Sequence, residues 1–401
     1  MKAVMLAAGE GKRMRPLTHT RPKVMLPIAN RPLLEWNLVH AREAGIREFV
    51  MVVGYKSEMV RNYFGDGRQW DVDIAYVNQG RPRGTAHAVG LVKPFVDDFL
   101  VLSGDTVVGS SDLAALMKQE QAMGVVEVAD AREYGSVELR EGRVVAIHEK
   151  MRRPPSPVVN AGCYRLTPRI FECIDRTRPS PRGEYELTDS LTLLADQEEI
   201  AAVFLDRWRD VGYPWDLLDA NREVLEGLEP AVQGEIEEGV HIRGPVAIGE
   251  GTTVMSGSYI EGPVVIGAHC TIGPHCYLRP ATSIGSHCHV GSACEVKNTI
   301  LMDNSNIPHQ NYVGDSVIGQ HCNLGAGTKI ANLRLDKKPV SVVADGAAVD
   351  TGRRKLGAIM GDHVQTGINA MLDVGTIVGN DVFIGPGAYA SGHISPGARV
   401  L

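Results

Sequence analysis

Five cations crowd into twelve residues near the start of the chain: Lys12, Arg13, Arg15, Arg21 and Lys23, directly after the turn Ala7-Ala8-Gly9-Glu10-Gly11. Glycines at positions 9 and 11 let backbone N–H groups approach phosphate oxygens, and the guanidinium and ammonium groups add charge-assisted hydrogen bonds. The chemistry such a stretch suits is the holding of a triphosphate. A Gly-rich turn alone would be weak evidence, since many serve only to reverse the chain; the whole run from Gly9 onward is more specific. Asp105 adds a carboxylate at the end of the apolar run Phe99-Leu100-Val101-Leu102, at the edge where open α/β sheets bind ligands.

The elements that must position these groups follow from the pattern. Met1 to Leu6 reads as a buried parallel strand, Leu33 to Ala44 as a helix, and Phe49–Val53, Asp73–Asn78 and Phe99–Leu102 as further strands. Short apolar strands alternating with helical segments up to about Gly227 predict a mostly parallel, Rossmann-like α/β sheet. At 401 residues the chain can form two or three domains with full cores. A formal charge of −7 argues against general nucleic-acid binding, so phosphates must be met by a local basic cluster. No apolar run is long enough to span a membrane and no cationic leader precedes a cleavage site, so the expected location is the cytoplasm, with no membrane partner.

The runs GEGKRMRPLT and RPKVMLPIANRPLLEW closely resemble the signature of sugar-1-phosphate nucleotidylyltransferases. That resemblance implies that Arg13 and Lys23 grip phosphates, that Ala8, Gly9 and Gly11 form the nucleotide turn, and that Gln79, Gly84 and Thr85 read the base. It implies Asp105 and Asp210 as ligands of Mg²⁺ bridging the phosphates, Gly135, Glu149 and Asn160 as sugar contacts, and Lys150 as a phosphate contact. Glu149-Lys150 is followed by Met151 where many relatives have Pro, which loosens the match at the sugar pocket.

The second half is a different object. After a stretch 228–239 that reads as a polar linker, apolar residues recur every six positions: Ile248, Val254, Ile260, Ile266, Ile272, Leu278, Ile284, Val290 and Val296. Such a run predicts a parallel β-helix over 240–401, one aliphatic side chain per face of each coil. Domains are therefore expected at 1–227 and 240–401, and the first should stand alone if cut free. Cys270, Cys276, Cys288, Cys294 and Cys322 each lie four residues after a register aliphatic, a place for a small inward residue, so they read as core fillers and not as a metal or disulfide framework. His269, His275 and His287 precede three of them and would point outward by strand alternation.

This half resembles the hexapeptide-repeat acyltransferases, whose coil is left-handed with three hexapeptides per turn. With that coil, Arg279 and Lys297 stack roughly 5 Å apart and should repel unless an anion lies between them. Both match the residues that hold the sugar phosphate in bifunctional enzymes of the N-acetylglucosamine-1-phosphate uridylyltransferase type, which share this domain order. The segment Ile307 to Asp315 breaks the hexad and should bulge; it resembles their catalytic loop, which implies His309 as general base for an amine attacking a thioester. The resemblance further implies Tyr312, Asn323 and Asn332 as acceptor contacts and Ala326 as the acetyl-CoA contact. Leu333 and the long interruption 335–357 depart from bacterial members and look more like archaeal ones.

The chain is thus expected to couple UTP or dTTP to a sugar 1-phosphate and to acetylate glucosamine or galactosamine 1-phosphate from acetyl-CoA, as a homotrimer. Transfer to glucose or mannose 1-phosphate alone, with the β-helix serving assembly or regulation, is the rival; Arg279, Lys297 and His309 speak against it. A non-enzymatic exchange-factor subunit needs no phosphate-gripping residues, and GEGKRMRP with Lys23, Asp105 and Asp210 speaks against that.

Overall fold

Alternate residues of the first strand, Lys2–Ala7, feed opposite cores. Ala3, Met5 and Ala7 pack with Leu34, Leu38 and Met51 on one face, while Val4 packs with Val50, Val101 and Val89 on the other. An element apolar on both faces must be covered on both, and a parallel sheet flanked by helices does this. The computed structural model describes residues 1–344 and 347–401. The strands run in the spatial order Asp73–Asn78, Glu48–Val53, Lys2–Ala7, Phe99–Ser103, Val158–Leu166, Ala122–Glu127, Ala201–Phe204, Arg143–Glu149 and Gly135–Arg140. The first four are mutually parallel. Chain order reverses between Lys2–Ala7 and Phe99–Ser103, so their carboxyl ends open the crevice typical of such sheets. Gly104 closes that edge: its N–H donates to Leu6 O at 3.0 Å, and a Cβ there would lie 2.6 Å from the same oxygen.

The second architecture is three stacked parallel sheets of nine, nine and eight strands, a left-handed parallel β-helix. Strands eighteen residues apart pair in register, as in Val246↔Val264↔Thr282 and Tyr259↔Tyr277↔Glu295. The register aliphatics from Ile248 to Ile384 line one continuous core. Cys270, Cys276, Cys288, Cys294 and Cys322 are buried there as free thiols.

Four sequence expectations are corrected. First, 228–239 is not a bare linker: Ala231–Val232 and Glu235–Ile236 pair with Val246–Ile248 and Thr253–Val254 as the opening coil. Second, Ile307–Asp315 does not bulge. Asn306–His309 and Tyr312–Gly314 pair regularly with the strands beneath, because the coil shortens by one residue, Glu295 facing Tyr312. The protrusion is the later one, where Val317 pairs with Ile359 and the intervening chain forms the antiparallel hairpin Ser341–Ala344/Ala347–Asp350. Third, the histidines beside the cysteines are not in strand alternation. His269, His275, His287, His321 and His363 occupy left-handed corners with φ between 54° and 60°, and His269 stacks on His287 with ring centroids 5.0 Å apart.

The fourth correction concerns the boundary. Residues 1–10, 21–25 and 32–210 form one compact unit; 11–20, 26–31 and 211–401 form the other. Within the second unit, Thr20 Oγ1 donates to Asp362 Oδ2 at 2.7 Å and Asn30 Nδ2 to Ile284 O at 2.6 Å. Buried Asn221, on the helix Asp216–Glu226, accepts from Ala29 N and Ser283 Oγ and donates to Ala281 O. Segments 11–20 and 26–31 therefore draw part of their contacts from residues beyond 227. A chain ending at Gly227 is expected to melt several degrees below the full chain and to expose 11–20 to protease, checked by differential scanning fluorimetry and limited proteolysis; an unchanged melting temperature would contradict this.

Candidate functional sites

In the first unit, Asp105 ends the turn after Phe99–Ser103, and Asp210 ends the short strand Trp208–Asp210, which lies antiparallel to Thr106–Val108 with Asp210 facing Thr106. Two carboxylates far apart in sequence thereby line one cavity of about 200 Å³. Lys23, only 7% exposed, sets its Nζ 2.6 Å from Asp105 Oδ2. A buried ammonium is costly without such a partner. Thr85, Gly135, Glu149 and Asn160 line the same cavity.

Glu149, Asn160 and Thr85 are each held by a neighbour to which sequence reasoning assigned no role. Thr188 Oγ1 donates to Glu149 Oε1 at 3.0 Å, Asn160 Nδ2 donates to Tyr164 OH at 2.7 Å, and Gly162 N donates back to Asn160 Oδ1 at 2.9 Å. Thr188 lies in the first turn of the helix Leu187–Ala195, within Glu184-Tyr185-Glu186-Leu187-Thr188-Asp189, a stretch whose composition suits a helix start and marks no ligand. Gln79, 8% exposed, donates to Gly84 O at 3.0 Å, and Thr85 Oγ1 accepts from Leu187 N at 2.9 Å. Gly84 has φ 108°, and a Cβ there would fall 2.4 Å from Tyr185 O, so only glycine lets these two segments meet.

Other predicted residues are not among the lining of this cavity. Lys150 lines a separate hollow with Asp130, Arg132 and Arg152. Gly11 and Arg13 fold with the second unit, where the Arg13 guanidinium lies 5.1 Å from the Tyr213 ring centroid. Ala8 and Gly9 stay with the first, Ala8 O accepting from Tyr55 N at 3.1 Å.

The second constellation is built on the β-helix. His309 is exposed at the end of Asn306–His309, and its carbonyl accepts from Gly327 N at 2.9 Å, which seats the Ala326-Gly327 turn on the next coil directly above it. His289, one coil below, is a second imidazole here; burial and the neighbouring His309 push its pKa down. Asn323 stands on the same sheet as His309, Tyr312 on the next. The expected repulsion between Arg279 and Lys297 is removed differently from the way the sequence implied. Each cation carries its own acid: Arg279 Nη1 lies 2.8 Å from Glu295 Oε1, and Lys297 Nζ lies 3.2 Å from Asp315 Oδ2. Asn332 Nδ2 donates to the same Asp315 oxygen at 2.6 Å and lies 3.1 Å from Tyr312 OH.

Known proteins resemble this chain across both halves. Residues 2–227 match the nucleotidyl transferase family model, and 260–396 match the GMPPB C-terminal domain. A bifunctional protein GlmU of Methanocaldococcus jannaschii is 42% identical over 96% of this chain and 93% of its own. A bifunctional sugar-1-phosphate nucleotidylyltransferase/acetyltransferase of Sulfurisphaera tokodaii is 40% identical over 99% of each. A solved UDP-glucose pyrophosphorylase, complexed with UDP-glucose, overlays 56% of this chain and 98% of its own at 27% identity and a TM-score of 0.51. The chain belongs to the nucleotidyl transferase family and, within it, to the bifunctional nucleotidylyltransferase/acetyltransferases of the GlmU type.

Burial lifts the Glu149 carboxyl above its ordinary pKa, partly offset by Thr188 and Arg182. A carboxyl whose folded pKa is raised costs the fold stability once pH exceeds that value, and the cost disappears below the unfolded pKa, about 4.3. Glu149→Gln is expected to raise the melting temperature at pH 7, to lose that advantage near pH 4, and to raise KM for the sugar phosphate. Melting curves across pH with parallel kinetics check both; a variant no more stable at pH 7 would refute the burial cost.

Proposed function

We propose that the chain makes an N-acetylated nucleotide sugar in two steps, acetylating glucosamine or galactosamine 1-phosphate with acetyl-CoA and transferring a nucleotidyl group from UTP or dTTP to a sugar 1-phosphate with release of pyrophosphate. Two residue sets in one chain carry this reading: Asp105 and Asp210 on one cavity with Lys23 paired to Asp105, and His309 beneath the Ala326 turn on the β-helix that also carries Lys297, Tyr312 and Asn332.

For nucleotidyl transfer, Gln79, Gly84 and Thr85 are read as base contacts and Gly135, Glu149 and Asn160 as sugar contacts, with Ala8, Gly9, Gly11, Arg13 and Lys150 meeting phosphates. Asp105 and Asp210 fit Mg²⁺, which keeps several waters and takes one or two carboxylates plus substrate phosphates. When bound, the ion would neutralise phosphate charge; Lys23, held by Asp105, is placed to add to that as the α-phosphorus is attacked.

For acetyl transfer, His309 takes a proton from the attacking amine, Arg279 and Lys297 hold the phosphate, and Tyr312, Asn323 and Asn332 orient the amino sugar. Ala326 is the acetyl-CoA contact. By chemistry the chain divides into 1–227 and 240–401. A homotrimer in the cytoplasm completes the proposal; no helix among the described residues is long and apolar enough to cross a membrane. The match of 260–396 to the GMPPB C-terminal domain favours the rival, nucleotidyl transfer alone with the β-helix serving assembly.

Two variants separate the readings. His309→Ala is expected to lower acetyl transfer by about 10² to 10⁴ while nucleotidyl transfer persists. Lys23→Ala is expected to lower nucleotidyl transfer on the order of 10² or more while acetyl transfer persists. Each half-reaction is measured in each variant, the first by thiol release from acetyl-CoA and the second by pyrophosphate release. Acetylation surviving His309→Ala at wild-type rate would sink the base assignment; no acetylation by the wild type would favour the rival.

A further inference from the structure

We propose that Asp315 is the positioning residue of the acetyl-acceptor site, setting which side chains donate and which accept toward an amino sugar phosphate. The inference rests on the acetyltransferase reading above and names a residue that reading does not use. The Asp315 side chain is only 6% exposed, and its backbone sits in the left-handed region at φ 51°. It is tied at both ends, its N–H donating to Lys297 O at 2.9 Å and its carbonyl accepting from Gly357 N at 2.8 Å.

Three side chains converge on this one carboxylate. Asn298 Nδ2 lies 2.6 Å from Oδ1, while Asn332 Nδ2 at 2.6 Å and Lys297 Nζ at 3.2 Å share Oδ2. An ionised carboxylate only accepts hydrogen bonds, so both amides must present their NH₂ groups to it. The orientation of Asn332 is thereby fixed by chemistry: its Oδ1 is left as an acceptor. Its NH₂ also donates to Tyr312 OH at 3.1 Å, so the phenol proton is directed elsewhere. Lys297 spends one of three N–H donors on Asp315 and keeps two.

The result is an acceptor at Asn332 for an amine N–H, and donors at Lys297 and Tyr312 for an anion. That polarity fits a substrate carrying an amine and a phosphate together. Asn298 extends the set outward, its Oδ1 accepting from Arg222 at 3.3 Å. Lys297, Asn298 and Asp315 line a cavity of about 860 Å³, shared with Arg354 and Lys355 from the far end of the 335–357 insertion.

Asp315→Asn conserves shape but leaves one carbonyl oxygen to serve three donors, so Asn332 must turn or Lys297 must let go. Full-length Asp315→Asn is expected to raise KM for glucosamine 1-phosphate or galactosamine 1-phosphate at least tenfold and to lower kcat/KM on the order of 10². KM for acetyl-CoA and the rate of nucleotidyl transfer should stay within twofold. The preference for the phosphorylated amino sugar over free glucosamine should shrink, and adding Asn332→Ala should cost far less in the Asp315→Asn background than alone. A merely structural role would raise both KM values together, with additive losses. Should Asp315→Asn fail to fold, Asn298→Ala removes one donor and is expected to raise the acceptor KM severalfold with acetyl-CoA unaffected. An active wild type whose variants keep the acceptor KM within twofold, or lose both substrates alike, would overturn the role of Asp315. A wild type that acetylates neither amino sugar phosphate would instead overturn the proposed function, and this assignment with it.

Discussion

In-register parallel stacking is the constraint on which the second half of the molecule depends. Strands about 4.8 Å apart place residues over those one coil earlier, eighteen or seventeen positions back except at the last coil and across the insertion. Aliphatic columns then fill the core, and polar columns must settle their charges within a few ångströms. Like charges directly opposite one another are destabilising, so the cations at 279 and 297 are each matched by an acid a coil away, Glu295 and Asp315. The partly buried Lys297–Asp315 pair also has Asn298 and Asn332 to satisfy the carboxylate, which is what makes a desolvated ion pair tolerable.

The first unit solves a related problem with a different tool. Its groups come from strand ends rather than from columns: Asp105 after Phe99–Ser103, Asp210 opposite Thr106, and Glu149 at the end of Arg143–Glu149. Helices cover both faces of the sheet, so the crevice edge is where polar side chains can gather. Close approach there is secured by missing side chains, at Gly104 against Leu6 and at Gly84 against Tyr185.

What the sequence made legible was whatever rests on local order. Short apolar runs alternating with helical segments foretold the parallel sheet, period six foretold the β-helix, and the small inward cysteines followed from the same count. What stayed hidden needs knowledge of contacts between distant residues. Nothing in Asp315 itself says that Lys297, Asn298 and Asn332 will meet on it. Nothing in Lys12 to Thr20 says that this run folds with residues beyond 211, since its cations read as one cluster with Lys23. The supposed bulge at 307–315 misled because a coil can drop one residue at a corner and keep its ladder, which a fixed period of six does not foresee.

The corner histidines carry a consequence for how such a chain can change over generations. Gly251, His269, His287, Asn304, His321, His363 and Asp381 lie in one column, and a Cβ at Gly251 would meet the His269 ring at 2.4 Å. A mutation at one level is therefore felt first by the residues one coil before and after it in the column, not by its neighbours along the chain. Heritable variation in this half should run in vertical sets, with paired exchanges at coil spacing, whereas in the first half it should follow the ordinary exchange between strand and covering helix.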